Sequence, residues 1–225
     1  MDWQALWLTL KLDIVVCALL LLIGIPLAAG LAHWRWKGKF LLEALVALPL
    51  VLPPTVLGFY LLIAMGPRSP LGKLWTLTWG RGLPFTFEGL VFASMVYSLP
   101  FMVQPISSAF ASIDPRLIAA SAVLGSSRAR TFFRVVLPLS LPGLLTGLVL
   151  TFAHTLGEFG VVLMVGGNIP GLTRTVSISI YDNVQALDYA AAGQTSLLLL
   201  IASFVILSLV YGINRRRALL WPASR

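Results

Sequence analysis

Long apolar runs alternate with short polar segments along most of this chain. Five of these runs can each supply about 20 helical residues, the number needed to cross roughly 30 Å of hydrocarbon. The pattern predicts an all-α, polytopic transmembrane protein with about five spans in a single domain covering residues 1–225. We place the spans at residues 5–33, 43–66, 88–111, 138–165 and 189–213.

Composition supports this prediction. Hydrophobic residues make up 58% of the chain and charged residues 11%, whereas soluble domains carry about 25% charged residues. The net charge of +8 does not indicate a nucleic-acid partner, because the cations flank spans instead of forming a stripe on a soluble domain. The single cysteine, Cys17, lies within a span and excludes an intrachain disulfide.

The distribution of lysine and arginine predicts the orientation. Cytoplasmic loops are enriched in these residues, and tryptophan favours the membrane interfaces. Five spans place eleven of the 16 cations on one side, so we expect the N-terminus outside and the C-terminus in the cytoplasm. The eleven are Arg35, Lys37, Lys39, Arg116, Arg128, Arg130, Arg134, Arg215, Arg216, Arg217 and Arg225. The tryptophans expected at the interfaces are Trp3, Trp7, Trp34, Trp36, Trp75, Trp79 and Trp221.

The segment 114–136, between the third and fourth spans, is short, basic and helix-prone. Asp114 and Pro115 predict a helix start, because aspartate caps free amides and proline fits the first helical position. Gly125 predicts the end of that helix. The two serines that follow can cap a second helix from Arg128 to about residue 136, which we expect Leu137-Pro138 to end.

Small side chains in this segment allow another protein to approach the backbone closely. They are Ala119, Ala120, Ser121 and Ala122, and arginines that can meet acidic or carbonyl acceptors follow them. We interpret the segment as a docking surface for a partner. The alternative is a basic amphipathic helix that lies on lipid.

The spacing from Ala119 through Gly125 to Pro138 resembles the EAA signature of bacterial binding-protein-dependent ABC importer permeases. Within that family, the chain is most similar to molybdate permease subunits, through residues 48–58, 156–160 and 168–175. It departs from the family at Ala119, where the signature has glutamate, and at His154, where arginine is frequent. The resemblance implies ATPase coupling by Asp114, Pro115, Ala119, Ala120, Ser121, Gly125, Arg128, Leu137 and Pro138.

This resemblance implies a type I ABC importer permease-like fold in a bacterial inner membrane. It implies a homodimer with a second permease copy, two cytoplasmic ABC ATPase subunits that bind ATP and Mg²⁺, and an external molybdate-binding protein. The implied activity is import of molybdate, and of the similar ion tungstate, by alternating access. The alternatives are a sulfate or thiosulfate permease and an ion-coupled secondary transporter, which would usually show internal repeats and several buried acids.

No motif in the chain predicts catalysis. The string nearest to a phosphate-binding loop, residues 66–74, has five residues between its glycines and leucine where a hydroxyl belongs, whereas that motif needs four residues and Ser or Thr. We therefore expect a transport subunit that binds no cofactor or metal itself and relies on ATP hydrolysis by a partner.

Prolines and polar residues inside the spans are candidates for the translocation pathway or a gate. Pro49, Pro53 and Pro54 predict a break in the second span, and Thr55 offers a hydroxyl there. The break either lines a pathway or serves packing alone. Further guesses for pathway donors are Ser94, Ser98 and Gln104.

Glu158 is the most conspicuous membrane residue, because a charge at mid-bilayer costs roughly 2.5–3.5 kcal/mol on insertion scales. His154 lies four residues earlier on the same helical face, so we expect the two side chains to pair. Glu158 then serves either as a gate or dimer contact or as a polar clamp to the outer loop. It does not bind an oxyanion, since like charges repel.

Overall fold

A computed structural model describes residues 2–34 and 36–220, with the backbone alone at residues 209–211 and 213–220. Arg35, Trp221 and Arg225 lie outside the described residues, as do the side chains of Arg215–Arg217. The described part contains a π-helical turn, Phe132–Val136, and twelve α-helices. The helices are α1 (Trp3–His33), α2 (Lys39–Val51), α3 (Pro54–Met65), α4 (Pro70–Trp79), α5 (Phe87–Ala111), α6 (Pro115–Val123), α7 (Arg128–Thr131), α8 (Leu137–Leu139), α9 (Leu141–Leu156), α10 (Gly160–Gly166), α11 (Val176–Gln185) and α12 (Tyr189–Leu220).

Three of these helices, α1, α5 and α12, are long and apolar enough to cross a membrane. Two bent pairs raise the number to five if each pair forms one span. The α2–α3 pair bends by 116°, and the helix from Arg128 to Leu139 meets α9 at 68°. The all-α, multi-span prediction is confirmed, and the second and fourth spans are broken helices.

The break in the second span lies at Leu52 and Pro53. Leu52 is extended, with ψ 136°, as expected for a residue that precedes proline. Pro53 caps α3, and Pro54 occupies its first turn, where a missing N–H costs nothing. The prediction that Pro49 contributes to the break is wrong, because Pro49 lies inside α2.

The predicted end of the second cytoplasmic helix at Leu137-Pro138 is wrong. The helix from Arg128 continues through the π-helical turn and α8 to Leu139, and the bend falls at Ser140. A π-helical turn shifts the hydrogen-bond register and commonly bends a helix. Here the π-helical turn lies just before Pro138, the helix includes this proline, and the bend follows at Ser140.

The core of the bundle lies between α1, α5 and α9. Gly24 of α1 lies against Met102 of α5, and Gly147 of α9 lies against the Met102 carbonyl, where an added Cβ would come within 2.9 Å. Leu12, Val16 and Ile106 are buried in the same hydrophobic core. The close approaches are possible because these positions lack side chains.

The segment after α10 is held by Arg174. Its Nε donates to Asn168 at 2.6 Å, and its guanidinium reaches Asp182 at 3.3 Å and Asp2 at 3.8 Å. The helix α11 follows two residues after Arg174. Arg174 thus joins the start of α1 to the segment between α10 and α11.

Candidate functional site

The predicted docking segment begins as the sequence indicates. The Asp114 carboxylate accepts the Arg116 N–H at 2.8 Å, which caps α6. Gly125 follows α6 with φ +76°, a left-handed conformation that glycine adopts without a Cβ clash. Ser127 caps α7 through the Arg130 N–H at 3.3 Å. These local signals build a helix–turn–helix between α5 and α9.

One side-chain hydrogen bond fixes the two short helices to each other. The Ser121 and Thr131 hydroxyl oxygens lie 2.9 Å apart. Ser121 is one of the small residues of the signature, and Thr131 ends α7 and is buried. The pair makes α6 and α7 one unit that can move together.

The outer surface of this unit is apolar and exposed. No residue of α6 is buried, and Val123 and Leu124 expose 88% and 85% of their surfaces. Leu117 and Phe133 are exposed as well. Apolar patches of this kind, rimmed by charged residues, mark sites of contact with another protein or with lipid.

A groove of about 440 Å³ runs between this unit and the end of α1. It is lined by His33, Ile118, Ala122, Ser126, Arg128, Thr131, Phe132 and Val136. Among the predicted coupling residues, Arg128 lines the groove. Four others are exposed to solvent and do not line it: Asp114, Pro115, Ala119 and Ala120. Pro138 lies farther along, in α8.

A second group of polar residues is buried between α5 and the end of α9. Ser94 donates to Glu158 Oε2 at 2.5 Å. Ser98 Oγ lies 3.0 Å from His154 Nδ1 and 2.9 Å from Thr155 Oγ1. Ser98 and Glu158 are buried inside the protomer, so this group ties the third span to the fourth.

The expected pairing of His154 with Glu158 is absent from the described ion pairs and hydrogen bonds. The helix α9 ends at Leu156, so the four-residue spacing no longer places the two side chains on one helical face. His154 stacks on Phe101 with ring centroids 4.0 Å apart. Both predicted partners are instead held by serines of α5.

Sequence reasoning did not single out Asp13, which is buried. Asp13 is 0% exposed. The available signal was its position on the buried stripe of α1, where Thr9, Val16 and Leu20 recur at helical spacing. Lys11, off this stripe, extends over the Phe87 ring at 4.4 Å from the centroid.

The break in the second span lies against the break between α9 and α10. An added Cβ at Gly160, the start of α10, would come within 2.8 Å of Pro54 Cβ, at the start of α3. One turn later, a Cβ at Gly58 would come within 2.8 Å of Met164 Cβ. The two helices therefore start together and run in parallel, and Thr55 is exposed beside the junction.

Known proteins share this sequence and this fold. The family described as "Binding-protein-dependent transport system inner membrane component" matches residues 21–219. The chain belongs to this family. It is accordingly a transport component and a multi-pass protein of the inner membrane.

Relatives in this transport family include permeases named for molybdenum transport and for sulfate transport. The molybdenum transport system permease protein ModB of Azotobacter vinelandii is 51% identical over 218 residues, which cover 96% of each chain. ModB of Escherichia coli strain K12 is 41% identical over 184 residues, covering 82% of this chain and 80% of the relative. The sulfate transport system permease protein CysT of that strain is 33% identical over 184 residues, covering 82% and 66%.

Solved structures confirm the family's importer fold. A chain of a bacterial ABC transporter involved in the import of the acidic polysaccharide alginate matches with TM-score 0.74 and 20% identity, covering 95% of this chain and 78% of that one. A chain of the MetNI methionine ABC transporter matches with TM-score 0.74 and 20% identity, covering 96% and 95%. At this identity the likeness shows the fold alone.

Proposed function

We propose that this chain is the permease subunit of an ATP-driven ABC importer for molybdate. The observation that carries the proposal is the 51% identity to ModB of Azotobacter vinelandii over 96% of both chains. A likeness of that extent includes the spans, the loops and the docking segment together. Tungstate resembles molybdate in size and charge, so we expect it to be carried as well.

A sulfate or thiosulfate permease is the second candidate. The relative that favours it, CysT, is 33% identical and matches over 66% of its own length. The higher identity and nearly complete mutual coverage of ModB favour molybdate. The two candidates share a fold, so only a transport measurement separates them.

The proposed partners follow from the exposed apolar surface of α6 and α7. We infer that two cytoplasmic ATPase subunits, which bind ATP and Mg²⁺, dock on Val123, Leu124 and their neighbours in a homodimer of this permease. An external binding protein delivers the ion, and the N-terminus lies outside. This orientation places the docking segment in the cytoplasm, where ATP is available.

The helical path from α7 to α9 supports a coupling mechanism. The hydrogen bond between Ser121 and Thr131 joins α6 to α7, and the chain then continues through the π-helical turn and α8 to the bend at Ser140. A force on the docked surface therefore turns α9 against α5. We infer that closing of the ATPase dimer drives this movement, which alternates access between the two sides of the membrane.

Thr55, Pro53 and Gln104 are the predicted pathway residues that the fold leaves exposed. Thr55 and Gln104 offer a hydroxyl and an amide to an anion without binding it tightly. Ser94 and Ser98 are buried and bonded to other side chains. We therefore keep Thr55 and Gln104 as the candidate pathway residues.

Uptake of labelled molybdate in cells that lack this chain tests the proposal. The wild-type chain should restore uptake in the presence of excess sulfate, and a Gly125→Glu chain present in the membrane should not. Loss of sulfate uptake, with molybdate uptake unchanged, would reassign the cargo to the second candidate. Full uptake of both ions without the chain would overturn the proposal.

A further inference from the structure

Two carboxylic acids are buried in the same region of the helical bundle. Asp13 of α1 is 0% exposed and Glu158, after α9, is 4% exposed. Cys17 Sγ, which contacts Asp13, also contacts the Leu148 carbonyl of α9, and Ser94 of α5 bonds Glu158 just after α9. Burial of one uncompensated carboxylate is costly, and a second one nearby raises the cost, so the pair needs neutralisation.

No basic side chain in the described ranges supplies it. None of the ion pairs found there reaches Asp13 or Glu158. Lys11, two residues before Asp13, extends over the Phe87 ring. His154 is held by a serine of α5 at 3.0 Å. The other titratable groups that face the pair, Cys17 on α1 and Tyr97 on α5, carry no positive charge.

Hydrogen-bond donors are also too few for the oxygens present. Ser94 donates to Glu158 Oε2, but Glu158 Oε1 and Asp13 Oδ2 are buried without a partner. Asp13 Oδ1 has only the weak donor Cys17 Sγ, at 4.0 Å. Thr151 Oγ1 is buried without a partner as well. A proton on one carboxyl turns an acceptor into an O–H donor next to carboxylate oxygens that have no donor of their own.

The packing places Thr151 level with Asp13. Helix α1 runs parallel to α5, because Lys11 meets Phe87 and Gly24 meets Met102. Helix α5 runs antiparallel to α9, because Ser94 bonds Glu158 whereas Ser98, later on α5, bonds the earlier residue Thr155. Cys17 Sγ contacts the Leu148 carbonyl at 4.0 Å. Since α1 and α9 are antiparallel, Asp13, one turn before Cys17, lies at the same depth as Thr151, about one turn after Leu148.

We propose that Asp13 and Glu158 form a proton-binding site between α1, α5 and the end of α9. One carboxyl keeps its proton and supplies an O–H donor for the unpartnered oxygen of the other carboxyl. The remaining negative charge is stabilised by Ser94. Loss of the proton places two like charges between the first and fourth spans and loosens their packing.

Infrared difference spectroscopy on the full-length chain in lipid nanodiscs tests the site. At mildly alkaline pH the exposed carboxyls are ionised, so a C=O stretch of a protonated carboxylic acid reports a buried one. The double variant Asp13→Asn/Glu158→Gln lacks both acids. Its spectrum, subtracted from that of the wild type, should leave this band. The carboxamides keep the shape of the acids and should preserve folding. Glu43→Gln, which removes an exposed carboxylate paired with Lys39, should leave the band unchanged.

A thermal melt of the same samples supplies a second readout. Wild-type stability should fall as the pH rises, because the proton is lost from the folded bundle, and the double variant should lose this dependence. A wild-type spectrum with carboxylate bands alone would overturn the proposal. So would stabilisation by Na⁺, compared with a bulky organic cation at equal ionic strength, since the occupant would then be a metal cation.

Discussion

Ser94 on α5 donates a 2.5 Å hydrogen bond to Oε2 of Glu158, two residues beyond the end of α9. The bond joins the third span to the fourth inside the protomer. It is the one side-chain hydrogen bond to this carboxylate in the described part of the chain. Of the two roles that the sequence left open for Glu158, this bond favours a polar clamp over a gate or dimer contact, with α5 as the partner in place of the outer loop.

Ser94→Ala should destabilise the protein by about 1–3 kcal/mol, because it leaves a buried carboxylate oxygen without its donor. The measurement is the thermal melt of the purified chain in lipid nanodiscs. Ser108→Ala is the matched control, since Ser108 is an exposed serine of the same helix. Equal melting temperatures for the two variants would contradict the clamp.

Gly160→Ala should destabilise the junction between α3 and α10. The new methyl group would lie 2.8 Å from Pro54 Cβ, and overpacking of this kind typically costs about 1–3 kcal/mol. Gly193→Ala is the control, because a Cβ there meets nothing within 4 Å. Chemical denaturation compares the two variants, and an undisturbed Gly160→Ala protein would show that the two breaks do not pack as described.

Gly125→Glu should leave the chain in the membrane but abolish ATPase co-purification and transport. Gly125 has φ +76° and no heavy atom within 4 Å of its Cβ position, so strain and charge, not crowding, cause the loss. The left-handed conformation costs most side chains roughly 1–2 kcal/mol. Gly125→Asn, which tolerates this conformation, should retain both activities. If the glutamate variant also retains them, the docking assignment is wrong.

Arg174→Gln should loosen the segment between α10 and α11. The change removes the contacts of Arg174 with Asp2 and Asp182 and weakens its bond to Asn168. Limited proteolysis of the purified chain should then cut residues 167–175 faster than in the wild type. Arg174→Lys keeps the charge but loses the forked geometry, so it should give an intermediate rate. Identical rates for all three proteins would show that these contacts do not hold the segment.

Several local features followed directly from the sequence. Asp114 and Pro115 start α6, Gly125 terminates it in a left-handed conformation, and Ser127 caps α7 as predicted. The break at Pro53 was also predictable. Each of these signals acts within a few residues, through a missing N–H, a capping oxygen or a permitted backbone angle.

Other features were not predictable because they depend on distant neighbours. The pairing of His154 with Glu158 was inferred from helical spacing, but α9 ends between them. The sequence predicts that Pro138 ends a helix, but the helix continues through the preceding π-helical turn to Leu139. Asp13 carried no local sign of burial beyond its place on the α1 stripe.

The amino-acid sequence by itself determined that this chain is a multi-span helical protein with a helix–turn–helix between its third and fourth spans. Apolar runs, caps and prolines encode those features locally. Only the tertiary structure decided that Ser94 meets Glu158, that Gly160 meets Pro54, and that Asp13 shares the interior with Glu158. Those contacts depend on how α1, α5 and α9 pack side by side, and no short-range pattern specifies which faces meet.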